Sequence, residues 1–136
     1  MRGLYQWQID ALRRSQSPEA KRWTLWALGT GAGKSYAGAV WLLNQQITAA
    51  LRLAKAKSRR HRPVTLAVAP TLNSLRRYMV GSILEVTRGT YYEPRYNENK
   101  HELYWPEWAG GGVTICVSMD NKESVKHAEG GQYDAA

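Results

Sequence analysis

Residues Gly29-Thr30-Gly31-Ala32-Gly33-Lys34-Ser35 constrain the fold of this chain more than any other stretch. An apolar, strand-like run, Trp23-Thr24-Leu25-Trp26-Ala27-Leu28, precedes them, and a helix-like run, Tyr36-Ala37-Gly38-Ala39-Val40-Trp41-Leu42-Leu43, follows. Strand, glycine-rich turn, Lys-Ser and helix in that order are what a phosphate-binding P-loop requires. Glycines let the backbone curl so that several N–H groups face one anion-sized hollow, and the following helix presents its positive dipole end there. Gly29, Thr30, Gly31, Ala32, Gly33, Lys34 and Ser35 are therefore the candidate nucleotide-binding residues. Lys34 is placed to reach the β- and γ-phosphates of ATP and the Ser35 hydroxyl to complete a Mg²⁺ shell, which also makes them the catalytic candidates. The bland alternative is a glycine-rich turn capping a helix. The strict spelling would put its first glycine at position 28, where Leu28 stands; the Gly33-Lys34-Ser35 core is intact.

At 136 residues the chain amounts to one domain or part of one, with 43% hydrophobic residues available for a core. Its apolar stretches fall far short of the ~18–20 residues of a membrane-spanning helix. The N-terminus, Met1-Arg2-Gly3-Leu4-Tyr5-Gln6-Trp7-Gln8, has no signal-peptide run, and Cys116 has no second cysteine to pair with. An intracellular, reducing setting without membrane contact is the expectation. The net charge of +8 is unevenly spread: residues 1–88 carry 15 Lys/Arg against 3 Asp/Glu, a balance of +12, and residues 89–136 carry 4 against 8, a balance of −4. Positive charge peaks at Arg52, Lys55, Lys57, Arg59, Arg60 and Arg62, the pattern of a solvated loop or of a contact with a polyanion such as DNA.

Periodicity predicts a helix from Tyr5 to Arg14, ended by Ser15-Gln16-Ser17-Pro18. A strand over about 22–28, the P-loop, and a long helix from Lys34 to about Leu53 follow. Val64-Thr65-Leu66-Ala67-Val68-Ala69 reads as a strand buried on both faces of a parallel sheet, and Thr71 as the cap of a helix over Leu72–Val86. Gly89 to Lys100 reads as a loop. Glu102–Trp105 and Val113–Met119 read as two strands joined through Pro106-Glu107-Trp108-Ala109-Gly110-Gly111-Gly112, the second half-exposed, with a short helix from Lys122 to Ala128 after them. This order predicts an α/β sheet with right-handed crossovers.

Nucleotide hydrolysis also needs a carboxylate that holds Mg²⁺ and a base for the attacking water. Within the chain only Asp120, ending Val113–Met119, stands where such a carboxylate belongs, but the strand alternates and Asn121 follows it. The favoured expectation is that Tyr133-Asp134-Ala135-Ala136 opens a further buried strand whose acidic end lies beyond Ala136, so that the chain alone turns over ATP poorly.

Four segments together resemble the N-terminal part of the ATPase domain of phage large terminase subunits. They are the loop 29–35 with Ala37-Gly38-Ala39-Val40-Trp41; Ala69-Pro70-Thr71, shared with superfamily-two helicases; Leu103-Tyr104-Trp105-Pro106 with the glycine turn and Val113–Met119; and His127-Ala128-Glu129-Gly130-Gly131-Gln132-Tyr133-Asp134-Ala135-Ala136. The resemblance implies an ASCE-type P-loop NTPase, a three-layer α/β/α fold with a mostly parallel sheet, incomplete at the C-terminus, with the Walker B motif and a nuclease domain farther on. It implies ATP and Mg²⁺ as cofactors, double-stranded DNA, a small terminase subunit and a portal protein as partners, a homo-oligomeric ring, and the cytoplasm of an infected bacterium as the setting. By the same resemblance Gln6 or Gln8 contacts adenine. Gln6 follows Tyr5 as in the helicase pattern, whereas Gln8 shares a helical face with Leu4 and Leu12. Many terminases carry an arginine where Thr30 stands here; Arg76, Arg77 or a neighbouring subunit is left to supply that charge.

A helicase or restriction-type translocase fragment, and a nucleotide-binding module without turnover, are the competing readings. The Trp residues read as packing, with base stacking open for Trp105 and Trp108. His61, His101 and His127 lack metal-ligand spacing.

Overall fold

The computed structural model describes residues 3–16, 33–55, 62–129 and 133. Helix α1 spans Gln6–Gln16 and α2 spans Lys34–Lys55. Along α2 the side chains of Tyr36, Ala39, Leu42, Gln46 and Ala49 recur at intervals of three and four and are all buried, forming one stripe toward the sheet. Ala, Leu and Gln supply the helix propensity. Strand β1, Val64–Ala69, follows, and then a helical rod in three parts: α3 (Leu72–Ser74), a π-helical turn (Leu75–Val80) and α4 (Gly81–Thr87). Thr71 starts the rod as expected. Its backbone is extended and its hydroxyl accepts the Ser74 N–H at 3.1 Å.

Strands β2 (Arg95–Asn97), β3 (Glu102–Tyr104) and β4 (Val113–Ser118) complete a sheet of order β1-β4-β3-β2, and α5 (Lys122–Ala128) packs on β4. The strand expected over 22–28 lies outside the described residues. β1 pairs with β4 in parallel, from Val64 opposite Val113 to Ala69 opposite Ser118, whereas β4 with β3 and β3 with β2 are antiparallel. Among the described residues the sheet is therefore mixed, not mostly parallel. The physical reason is local: each of these last two connections is short enough to fold the chain straight back on itself.

Three further expectations change. Residues 89–100 are not all loop: Asn97 Oδ1 accepts the N–H groups of Asn99 and Lys100, His101 takes a left-handed φ of 52°, and this turn pairs β2 with β3. β1 is fully buried on one face, through Thr65, Ala67 and Ala69, while on the other Val64 and Leu66 are half-buried and Val68 is 42% exposed. Conversely β4, read as half-exposed, is buried along most of its length because it lies between β1 and β3 with α5 against it.

The core joins Tyr36, Ala39 and Leu42 of α2 to Ala67 and Ala69 of β1, Leu75, Val80, Ile83 and Val86 of the rod, and Leu103, Trp105 and Cys116. Beside it runs a line of buried polar groups. Trp105 Nε1–H donates to Thr114 Oγ1 at 2.7 Å, the Thr114 and Thr65 hydroxyls meet at 2.6 Å, and Thr65 donates to Gln46 Oε1 at 3.1 Å. Gln46 Nε2 in turn donates to the carbonyls of Pro63 at 3.4 Å and Gly111 at 3.3 Å. Burial without partners would cost these groups about 1–3 kcal/mol each, so their mutual satisfaction fixes how α2, β1, β4 and the glycine turn meet.

Candidate phosphate site at the start of helix α2

Gly33 has a left-handed φ of 81°, and α2 starts at the next residue. The Gly33 carbonyl accepts the Ala37 N–H at 3.1 Å, the first bond of the helix. A 22-residue helix thus presents its N-terminal end at Lys34 and Ser35, where its dipole favours an anion. Lys34 is half-buried and Ser35 exposed. Both line a cleft of about 510 Å³ whose remaining lining is mostly apolar: Trp41 and Leu42 of α2, the length of β1 from Leu66 to Ala69 with Pro70 beyond it, and Tyr78, Met79 and Ile83 of the rod. The Lys34-Ser35 end of the cleft is the polar one. Gly29, Thr30, Gly31 and Ala32 lie outside the described residues.

The two glutamines of α1 have different surroundings. Gln6 is exposed and donates through Nε2 to Asp10 Oδ1 at 3.0 Å, next to a Tyr5 that is 53% exposed. Gln8 is 0% exposed. Its Oε1 accepts the Tyr5 N–H and its Nε2 donates to the Gly33 carbonyl, each at 2.7 Å. Gln8 occupies the third position of α1, from which a Glu or Gln reaches back to the residue before the helix. The sequence signal for its burial is its shared face with Leu12, also buried. Sequence reasoning does not single out Gln46, although it continues the stripe from Leu42 to Ala49.

Asp120 is exposed just past β4, where its Oδ2 accepts the Leu72 N–H at 3.4 Å, so the carboxylate faces the start of the rod. Among the described residues no three His, Cys, Asp or Glu side chains gather into a group that could hold a metal ion. Arg76 and Arg77 are exposed on the π-helical turn. Desolvation raises the Tyr96 phenol above its ordinary range, opposed by the nearby Arg76 guanidinium.

Of the basic cluster, Arg52 and Lys55 are exposed on the last turns of α2. Arg62 is exposed and bonded to Glu107, which raises its pKa and compensates its charge. Lys57, Arg59 and Arg60 lie outside the described residues. Trp105 is buried and hydrogen-bonded, which removes it as a stacking surface. Trp108 is 71% exposed, with its Nε1–H donating to the Tyr91 carbonyl at 2.7 Å. Cys116 is buried between strands, and desolvation pushes its thiol up to about 12, so it stays protonated and inert. No helix among the described residues is long and apolar enough to cross a membrane.

The fold is that of a mixed α/β chain in which a 22-residue helix begins at Lys34, directly after a left-handed Gly33. No protein-family model matches the chain, and no curated protein or solved structure is significantly similar to it.

Proposed function

We propose that the chain is the ATP-binding part of a DNA-packaging motor of the terminase large-subunit kind. One observation carries the reading: a left-handed Gly33 leads directly into a long helix at Lys34-Ser35, beside the carboxyl end of a parallel strand. In this reading the N–H groups at the start of α2 and the Lys34 ammonium hold the β- and γ-phosphates. Ser35 Oγ and the phosphate oxygens hold Mg²⁺, which neutralises phosphate charge when bound. The exposed Gln6 amide offers a donor and an acceptor to the adenine edge, with Tyr5 beside it. Arg52 and Lys55, with Lys57, Arg59 and Arg60, contact the backbone of double-stranded DNA, while Arg62 is held by Glu107.

Calorimetric titration of the 136-residue chain with MgATP tests this. Saturable binding is expected, weakened at least ~10-fold in Lys34→Ala, because a hydrogen bond to a charged group contributes about 1.5–3 kcal/mol. A chain that binds no nucleotide, or a Lys34→Ala variant that binds as well as its parent, overturns the reading.

A further inference from the structure

Gln8 joins the start of α1 to the start of α2 across 25 residues of sequence. Its amide is fully buried and both ends are used: Oε1 by the Tyr5 N–H, Nε2 by the Gly33 carbonyl. A residue engaged this way has no hydrogen-bonding edge to offer a base. Its contact is with the backbone of the candidate phosphate loop.

The Gly33–Lys34 peptide is planar and trans, so its carbonyl and the Lys34 N–H point in opposite directions. Whatever fixes the carbonyl also aims the N–H. At Gly33 the need is acute, because a glycine at φ 81° has neighbouring wells open to it that other residues lack. Ala37 secures the carbonyl from within the helix at 3.1 Å, and Gln8 secures it from outside at 2.7 Å. Two donors converging on one oxygen hold the peptide plane and turn the Lys34 N–H to the face away from Gln8.

We propose that Gln8 is a positioning residue of the phosphate-binding loop, orienting the Gly33–Lys34 peptide for a polyphosphate, and is not the reader of adenine. This rests on the nucleotide reading above and assigns a part of the site that recognises the phosphate chain irrespective of its base. Adenine selectivity is left to Gln6, two residues earlier and exposed.

The test is to titrate the parent chain, Gln8→Ala, Gln8→Glu and Gln6→Ala with MgATP, MgGTP and magnesium tripolyphosphate. Gln8→Ala is expected to weaken all three by the same factor, up to roughly tenfold for one neutral hydrogen bond. Gln8→Glu keeps an acceptor for the Tyr5 N–H but, when ionised, has no donor for the Gly33 carbonyl. Burial raises a carboxyl pKa, so on mild acidification the protonated side chain regains a donor. Its affinity relative to the parent at the same pH should then recover while circular dichroism shows the fold unchanged over that pH range, which separates positioning from a structural lesion. Because Gln8→Glu preserves the volume, it decides the matter if Gln8→Ala fails to fold, as judged by circular dichroism. A loss confined to ATP, an unchanged affinity, or a Gln8→Glu deficit that ignores pH overturns the proposal while leaving the nucleotide reading standing. A parent chain that binds none of the three ligands removes both.

Discussion

Helix α2 is held by two buried glutamines, one at its N-terminus and one midway along it, and the two junctions differ in what the glutamine secures. At the N-terminal end, Gln8 reaches in from another helix to one backbone carbonyl, Gly33, next to exposed Ser35 and half-buried Lys34. Midway along the helix, Gln46 comes from α2 itself and joins a chain of buried partners, Thr65, Thr114 and Trp105, besides the carbonyls of Pro63 and Gly111. The second junction is dense, apolar-walled and closed. The first borders a cleft. The same side-chain type thus joins several buried partners at one junction and a single backbone carbonyl at the other.

The largest test breaks the junction at Gln46. Gly112 has φ 103°, and a Cβ there would overlap the Pro63 carbonyl oxygen and the Gln46 amide. Gly112→Ala combines a left-handed strain of about 1–3 kcal/mol with a backbone clash, so a loss of more than ~3 kcal/mol is expected in urea unfolding. A variant as stable as its parent would show the turn free to move off α2.

Gln46→Ala comes next. It leaves the Thr65 hydroxyl without its acceptor and the Gly111 carbonyl without the Gln46 donor, while the Pro63 carbonyl keeps the Val113 N–H, for an expected loss of about 2–3 kcal/mol. Nucleotide affinity of the folded protein should not change. If it falls as far as in Gln8→Ala, the two junctions are one coupled unit and the contrast between them fails.

The last effect is absent at neutral pH, builds up only in alkali and arises in the core at Cys116. Folded Cys116 keeps its proton up to about 12, against 9.0 for an ordinary thiol, because burial disfavours the thiolate. The unfolded chain therefore sheds that proton first, and stability should fall as pH rises from about 9 toward 12, by at most ~1.4 kcal/mol per unit. Comparing Cys116→Ala with the parent isolates this slope. An identical slope in both would show that the thiol does not carry it.

Elements governed by close neighbours along the chain are legible in the residues themselves. The strand Val64–Ala69, the Thr71 cap and the helix Lys122–Ala128 rest on apolar continuity, a hydroxyl ahead of a helix and local propensity. The Lys34-Ser35 helix start is legible for the same reason. Strand β2 is not, because three residues amid polar turns carry no period, and only pairing with β3 makes Arg95–Asn97 a strand. Gln6 and Gln8 look alike as residue types; the shared face with Leu12 hints at burial but not at Gly33, 25 residues away.

The sequence alone determined that a helix begins at Lys34 behind a run of glycines, since backbone freedom and helix propensity are local properties. Only the tertiary structure decided that β4 pairs in parallel on one side and antiparallel on the other, that Arg62 is bonded to Glu107, and that Gln8 grips Gly33. Each of those outcomes depends on which distant polar group is close enough to satisfy a buried or approaching one, and that distance is set by packing.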